Sequence, residues 1–317
     1  MNGRAAAVAL ALALALVVAA PSPSRAYVRE VSDQPPHLPV YWSSPCVVAT
    51  IYMNGFTEMT SDEVAKSIGA AAQAWSPDTV TCPGPGTDAG AGHPAFEIIT
   101  QMSTGGPVPS LDGSTDGNNS IIFRTTDWIE DMPEAIALTS RNTDPSGRIF
   151  SANVEINAVP VTVDPFRDFQ WANLDPGSPG GGHVDAIDLQ TAITHEFGHL
   201  LGLAHTCFST FDPLPRPVDD LGQPIPDCTD GANIPEAAAV MWYTVERNST
   251  SKRVITTDDA RGVCAIYPPT ATPAVCAVNV PEDGCGCHTG GTRPAVASTL
   301  LLALGALVAA RRRLGIR

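Results

Sequence analysis

Apolar positions along the chain follow two periodicities. Cys46–Tyr52 carries Val47, Val48, Thr50, Ile51 and Tyr52, a β-branched and aromatic run that predicts a strand. Ala95–Met102, Ser120–Thr125, Ala135–Ser140 and Ile149–Asn157 read the same way. Between the first two runs, Val64, Ile68, Ala71, Ala72 and Trp75 recur at helical spacing. Thr60-Ser61-Asp62-Glu63 ahead of them has capping-box chemistry, and Pro77 stops the segment. A second stripe, Leu189, Ala192, Ile193, Phe197, Leu200 and Leu201, predicts a helix over about Asp188–Leu201. It follows the run Gly180–Gly182, with Asp185 and Asp188 as cap or first-turn residues. A strand, a helix, more strands and a further helix make an α+β order. The stretch from about Arg29 to Pro268 is long enough for one large domain with its own core.

The second helix carries the chemistry. His195-Glu196-Phe197-Gly198-His199-Leu200-Leu201-Gly202-Leu203-Ala204-His205 reads H-E-x-x-H-x-x-G-x-x-H. Residues four apart share a helix face, so His195 and His199 can point at one ion. Glu196 then faces the space beside that ion, where it can take a proton from a zinc-activated water and pass it to a leaving amine. Ten residues past His195 the helical phase is about 80° off, so a continued helix would carry His205 away from the ion. Gly202 can adopt φ > 0 and end the helix, letting His205 return from the loop. Three imidazoles plus one open position is the ligand set of a catalytic Zn2+.

This motif resembles the metzincin clan of zinc endopeptidases. Ala239-Val240-Met241-Trp242-Tyr243 looks like that clan's methionine turn beneath the metal. Thr206 after the third histidine fits the matrixin branch, and Thr257–Tyr267 looks like the C-terminal matrixin helix. Asn119–Phe123 and Ile149–Asn157 resemble strands of the family sheet. The resemblance spans roughly Tyr41–Pro268. It implies a zincin fold: a twisted mixed sheet, the active-site helix, and a smaller C-terminal subdomain below the zinc cleft. It implies His195, His199 and His205 as metal ligands, Glu196 as general base, and structural roles for Gly202 and Met241. The strand nearest the cleft, Ala135–Ser140 or its neighbour, would pair with an extended substrate. The chain departs from the matrixin pattern in three ways. Between His205 and Met241 lie 35 residues, far more than in vertebrate matrixins. Tyr243 stands two after the methionine, as in astacins and serralysins, where such a tyrosine ligates zinc and swings out to the oxyanion; a packed turn aromatic is the other reading. No Pro-Arg-Cys-Gly segment precedes the domain, so cysteine-switch latency has no visible counterpart.

The ends of the chain set the compartment. Residues 1–26 read as a signal peptide: Arg4, an apolar run over Ala5–Ala20, and Ser24-Arg25-Ala26 for cleavage. The catalytic domain is then 27–268, with a linker at 269–292 that includes Cys285-Gly286-Cys287-His288. Residues 293–317 hold the apolar run Ala295–Ala310 followed by Arg311-Arg312-Arg313. That layout resembles the MYXO-CTERM sorting tails of myxobacterial surface proteins, and a plain membrane anchor is the alternative. The reading is an exported, monomeric protein, at the cell surface or beyond, with its tail transiently or stably in the membrane. Cys46, Cys82, Cys207, Cys228, Cys264 and Cys276 make an even set, which in an exported chain suggests disulfides. Cys207–Cys228 would staple the long insertion; Cys46–Cys82 and Cys264–Cys276 complete the set.

Charge narrows the partners. All 33 acidic residues but only 11 of the 18 basic ones lie within 27–284, a formal net of −22. That argues against nucleic acid or anionic lipid and leaves a protein or peptide substrate. Asp112, Asp116, Asp175 and Asp185 in Gly-rich loops are candidates for structural Ca2+, without EF-hand spacing. His37, His93 and His183 read as surface-loop residues, His183 with a weaker second role beside Asp175. The expectation is a zinc metalloendopeptidase. The alternatives are a catalytically silent surface binding protein on the same scaffold and, ranked lower, a hydrolase of cell-wall peptide crosslinks.

Overall fold

Ten short and long strands define the backbone: β1 (Val28–Arg29), β2 (Tyr41–Trp42), β3 (Cys46–Tyr52), β4 (Glu97–Met102), β5 (Asn119–Arg124), β6 (Ala137–Thr143), β7 (Arg148–Asn157), β8 (Gln170–Ala172), β9 (Ala186–Asp188) and β10 (Leu203–Ala204). Among the described residues three α-helices accompany them: α1 (Ser61–Ala74), α2 (Leu189–Leu201) and α3 (Thr257–Ile266). The structure, a computed structural model, describes residues 27–84, 90–105, 119–129, 132–177, 185–209, 215–230, 234–270 and 276. The signal-peptide and tail assignments, Gly180–Gly182, Asp112, Asp116, His183 and Cys285-Gly286-Cys287-His288 lie outside them. Among the described residues no helix is long and apolar enough to cross a membrane.

The architecture is mixed α/β with a parallel-dominated sheet. Its order is β2-β7-β5-β3-β4, all parallel, and β6 adds to β7 antiparallel. Helix α1 makes the crossover between parallel neighbours β3 and β4, as parallel pairing requires. It begins with the expected capping box: Glu63 N–H donates to Thr60 Oγ1 (3.2 Å), and Thr60 N–H donates to Glu63 Oε2 (2.9 Å). One core joins sheet and helices. Ile51, Ile121, Val154 and Ile156 from the strands meet Val64, Ile68 and Ala71 from α1 and Ile193, Phe197 and Leu200 from α2.

Two strand predictions shift in register. The run predicted from Ala135 begins at Ala137, because Met132–Ala135 is closed as a turn by Ala135 N–H to Met132 O (3.1 Å). It continues to Thr143 through Ser140, Arg141 and Asn142, polar residues that hide a strand from hydropathy. In β7, Thr143 pairs with Ile149 and Asn142 with Ser151, so Phe150 is an unpaired bulge residue. The bulge changes the side-chain parity. Ile149 and Ala152 therefore both reach the core while Phe150 is left exposed. Beyond it, Asn153, Glu155 and Asn157 alternate onto the opposite face, where Glu155 pairs with Arg124 (2.9 Å). The two- and three-residue strands β1, β2, β8, β9 and β10 are too short to have left a periodic trace.

Candidate metal centre

Helix α2 is delimited as its sequence suggests. Asp188 is the N-cap, accepting from Thr191 N–H (2.9 Å) and Thr191 Oγ1–H (2.8 Å). Gly202 ends the helix in the left-handed region, φ 100°. A side chain there would also press on the Val40 carbonyl, 3.0 Å from where a Cβ would stand. The last turn of a helix leaves carbonyls without helical donors. Here side chains from three other elements supply them. Arg141 Nη1 on β6 donates to His199 O (2.8 Å), Trp42 Nε1 on β2 to Leu200 O (2.8 Å), and the Tyr267 hydroxyl after α3 to Leu201 O (2.9 Å). One turn earlier Trp75 Nε1 donates to Thr194 O (2.8 Å). The helix that bears the histidines is thereby fixed in rotation as well as position.

His195, His199 and His205 converge, and they are the one group of ligating side chains among the described residues suited to a metal. His195 Nδ1 lies 2.7 Å from Val240 O, and His199 Nδ1 lies 2.8 Å from Leu203 O. A carbonyl can only accept, so both Nδ1 atoms carry the proton and both Nε2 atoms present lone pairs. His199 Nε2 then stands 3.2 Å from the Nε2 atoms of both His195 and His205. The facing His195 and His199 acceptors at that distance repel unless a cation lies between them. Ligand nitrogens at tetrahedral angles about 2.0–2.1 Å from a zinc ion stand roughly 3.3 Å apart, so the spacing fits such an ion. Burial, reinforced by the neighbouring His205, pushes the His195 imidazole down to about 3 and His199 well below its ordinary value. Both are therefore neutral and ligand-ready at physiological pH.

Glu196 is buried beside the trio, and desolvation pushes its carboxyl up to about 7. The Thr139 hydroxyl on β6 opposes this by donating to Glu196 Oε2 (2.6 Å). Gly198, an unspecified position of the motif, sits where a side chain would require Met241 to shift. A Cβ on it would fall 2.1 Å from Met241 Sδ and 3.1 Å from Trp75. Met241, fully buried, thus packs directly under the helix between the two histidine turns.

The turn that carries Met241 is held by charged side chains rather than by regular structure. Buried Asp259 on α3 accepts from Val240 N–H (3.0 Å) and Met241 N–H (3.3 Å) while capping its own helix through Thr256. Desolvation raises the Asp259 carboxyl, and these donors work against that rise. Val240 O in turn receives His195 Nδ1–H, so the Val240–Met241 peptide, through Met241 N–H, links Asp259 to a candidate ligand. Buried Lys252 donates to Trp242 O (3.0 Å) and Thr244 O (2.6 Å), pinning the backbone on both sides of Tyr243. Tyr243 is exposed, its ring edge-on to His205 with centroids 6.3 Å apart. Thr206 N–H donates to Met241 O (3.0 Å) and ties the third histidine's loop to the turn. Lys252 and Asp259 escaped sequence reasoning; a lone lysine and an aspartate at a helix start look like solvated surface.

Three disulfides are present among the described residues, as suits an exported chain, and two pairings correct the expectation. Cys207–Cys228 is bonded, enclosing part of the insertion and packing against Trp242. The other bonds are Cys82–Cys264 and Cys46–Cys276, not Cys46–Cys82 and Cys264–Cys276. Cys46 begins a strand while Cys82 follows α1 in the helical layer, where α3 brings Cys264 against it. The chain then leaves α3 through a bridge between Thr270 and His93 and reaches the start of β4, where Cys276 N–H meets Glu97 Oε2 (3.1 Å) beside Cys46. Of the calcium candidates, Asp175 is bonded to Lys66 (2.6 Å) and Arg253 (2.5 Å), which lower its carboxyl to about 2. Arg253 also grips Asp188 with two nitrogens (2.5 and 2.7 Å), so a guanidinium fills the place between these carboxylates. Asp185 lies near Arg247 instead. His37 is exposed, its Nδ1 on Ser32 O (2.9 Å), and His93 Nδ1 meets Val80 O (3.2 Å).

No protein-family model matches this chain, and no curated protein matches it.

Proposed function

We propose that this chain is an exported zinc-dependent endopeptidase of the matrixin-like metzincin kind, with residues 27–268 as its catalytic domain. The observation that carries the reading is the convergence of three imidazole nitrogens beside a buried carboxylate, two of them on a helix ended by a left-handed glycine. His195, His199 and His205 would hold the ion, and Met241 and Gly202 keep them in place. A Zn2+ held there would polarise a scissile carbonyl and acidify water. Glu196 takes the proton as the water oxygen attacks the carbonyl carbon, then delivers it to the nitrogen as the C–N bond breaks. Tyr243, whose ring lies beside His205, or backbone N–H groups would hold the oxyanion. β6 pairs with β7 alone among the described residues, and its remaining edge is available to an extended peptide. The acidic surface is in keeping with a protein substrate rather than nucleic acid, and the three disulfides with an extracellular or surface location.

Glu196→Ala tests the reading. The variant should bind one zinc by mass spectrometry and keep its circular dichroism, yet lose hydrolysis of dye-labelled casein by a factor of about a thousand or more, the scale expected when a general base is removed from a concerted site. Wild-type turnover in that variant would exclude the mechanism. Zinc binding by a wild-type protein that cleaves nothing would favour a surface binding role instead.

A further inference from the structure

The base at this centre is held by a residue on a different element. Glu196 is buried, and its terminal carboxylate torsion is intrinsically soft, so burial alone does not say which way the oxygens face. Thr139 is the one protein donor to that carboxylate among the described residues. Its hydroxyl has a single proton and two oxygens within reach: Glu196 Oε2 at 2.6 Å and Glu196 O at 3.1 Å. The backbone oxygen lies within the helix and has a helical donor four residues on. The carboxylate oxygen is closer and has no helical donor, so it takes the proton. Arg141, two residues further along β6 on the same face, fixes the distance between strand and helix. Its Nη1 donates to His199 O (2.8 Å) and its Nη2 pairs with Glu30 (3.2 Å).

We propose that Thr139 is a positioning residue for Glu196. Its hydroxyl anchors Oε2, leaves Oε1 to face the attacking water, and so couples orientation of the base to the strand that lies nearest the cleft. This rests on the peptidase reading above, and it predicts a loss in the chemical step rather than in substrate affinity.

The test compares wild type, Thr139→Ser, Thr139→Val and Thr139→Ala as zinc-loaded proteins on a quenched-fluorescence peptide built from a casein cleavage site. Thr139→Ser should stay within about threefold of wild type, while Thr139→Val should lose about tenfold to a hundredfold in kcat at nearly unchanged KM, the range for deleting one hydrogen bond to a charged group. Should the valine variant not fold, the alanine variant carries the comparison with serine. The second readout needs no turnover. In protein labelled with 13C at glutamate Cδ, the Glu196 resonance, identified by its loss in Glu196→Gln, should move in Thr139→Val and stay in place in Thr139→Ser. Wild-type kcat in the valine variant overturns the proposal, as does an equal loss in the serine variant or a change confined to KM. If wild type cleaves no peptide at all, the peptidase reading fails, and the resonance alone decides whether Thr139 orients the carboxylate.

Discussion

The two halves of the centre are built by different means. His195 and His199 stand on α2, inside a core of aliphatic side chains contributed by the sheet and α1. His205, Met241 and Tyr243 belong to an irregular stretch of turns and 3-10 segments, in which Asp259 and Lys252 take up backbone groups that no ladder satisfies. Stability in the first half is spread over many contacts and regular hydrogen bonds. In the second it is concentrated in a few buried charges, each with several backbone partners. A single substitution should therefore act gradually in one half and abruptly in the other.

The largest effect expected from that contrast is at Asp259. Replacing it with alanine strips the acceptors from the Val240 and Met241 N–H groups and from the α3 cap, at a cost of about 3 kcal/mol or more. Because Val240 O orients His195, zinc affinity should fall by about tenfold to a hundredfold as well. Denaturant melts and chelator competition measure the two, and an unchanged affinity would mean that the turn is held without Asp259.

Acidification probes both halves together. The unfolded chain takes up protons on its histidines near their ordinary value of 6.5, whereas native His195 resists protonation until about 3 and His199 resists likewise. On these two groups the unfolded state binds more protons in this window, which outweighs the one proton that native Glu196, raised to about 7, takes up early, so stability should fall as pH drops from about 6.5 toward 3. Metal release should follow the same course. Melting temperature and zinc content across pH 7 to 4 would show it; a flat profile would mean the imidazoles are solvated. The smallest effect belongs to the regular half. Thr60→Ala removes one side of the α1 capping box, costs about 1 kcal/mol, and should leave zinc affinity and turnover as they were.

The same contrast explains what could be read from the sequence. α1 and α2 were legible to within a residue or so, because an apolar stripe and its caps are local information. The three histidines, Glu196 and Gly202 were legible because the ligand spacing is local too. Gly198 was not. What crowds a side chain there is Met241 and Trp75, which only the folded chain brings together. Thr139 was hidden for a similar reason: its partner lies across the strand–helix contact, and β6 itself is too polar for its extent to stand out. The disulfide map was misread where pairing depends on which layer each cysteine occupies, and read as observed for Cys207–Cys228, where both ends flank one loop.

Cys46 and Cys276 enclose nearly the whole domain in a covalent ring, with Cys82–Cys264 as a second ring inside it. A chain closed in this way is indifferent to a first break. One hydrolysed bond anywhere between residues 46 and 276 yields two polypeptides that remain a single molecule. For a protein proposed to work among proteases, its own copies included, the same closure that limits unfolding also separates being nicked from being lost.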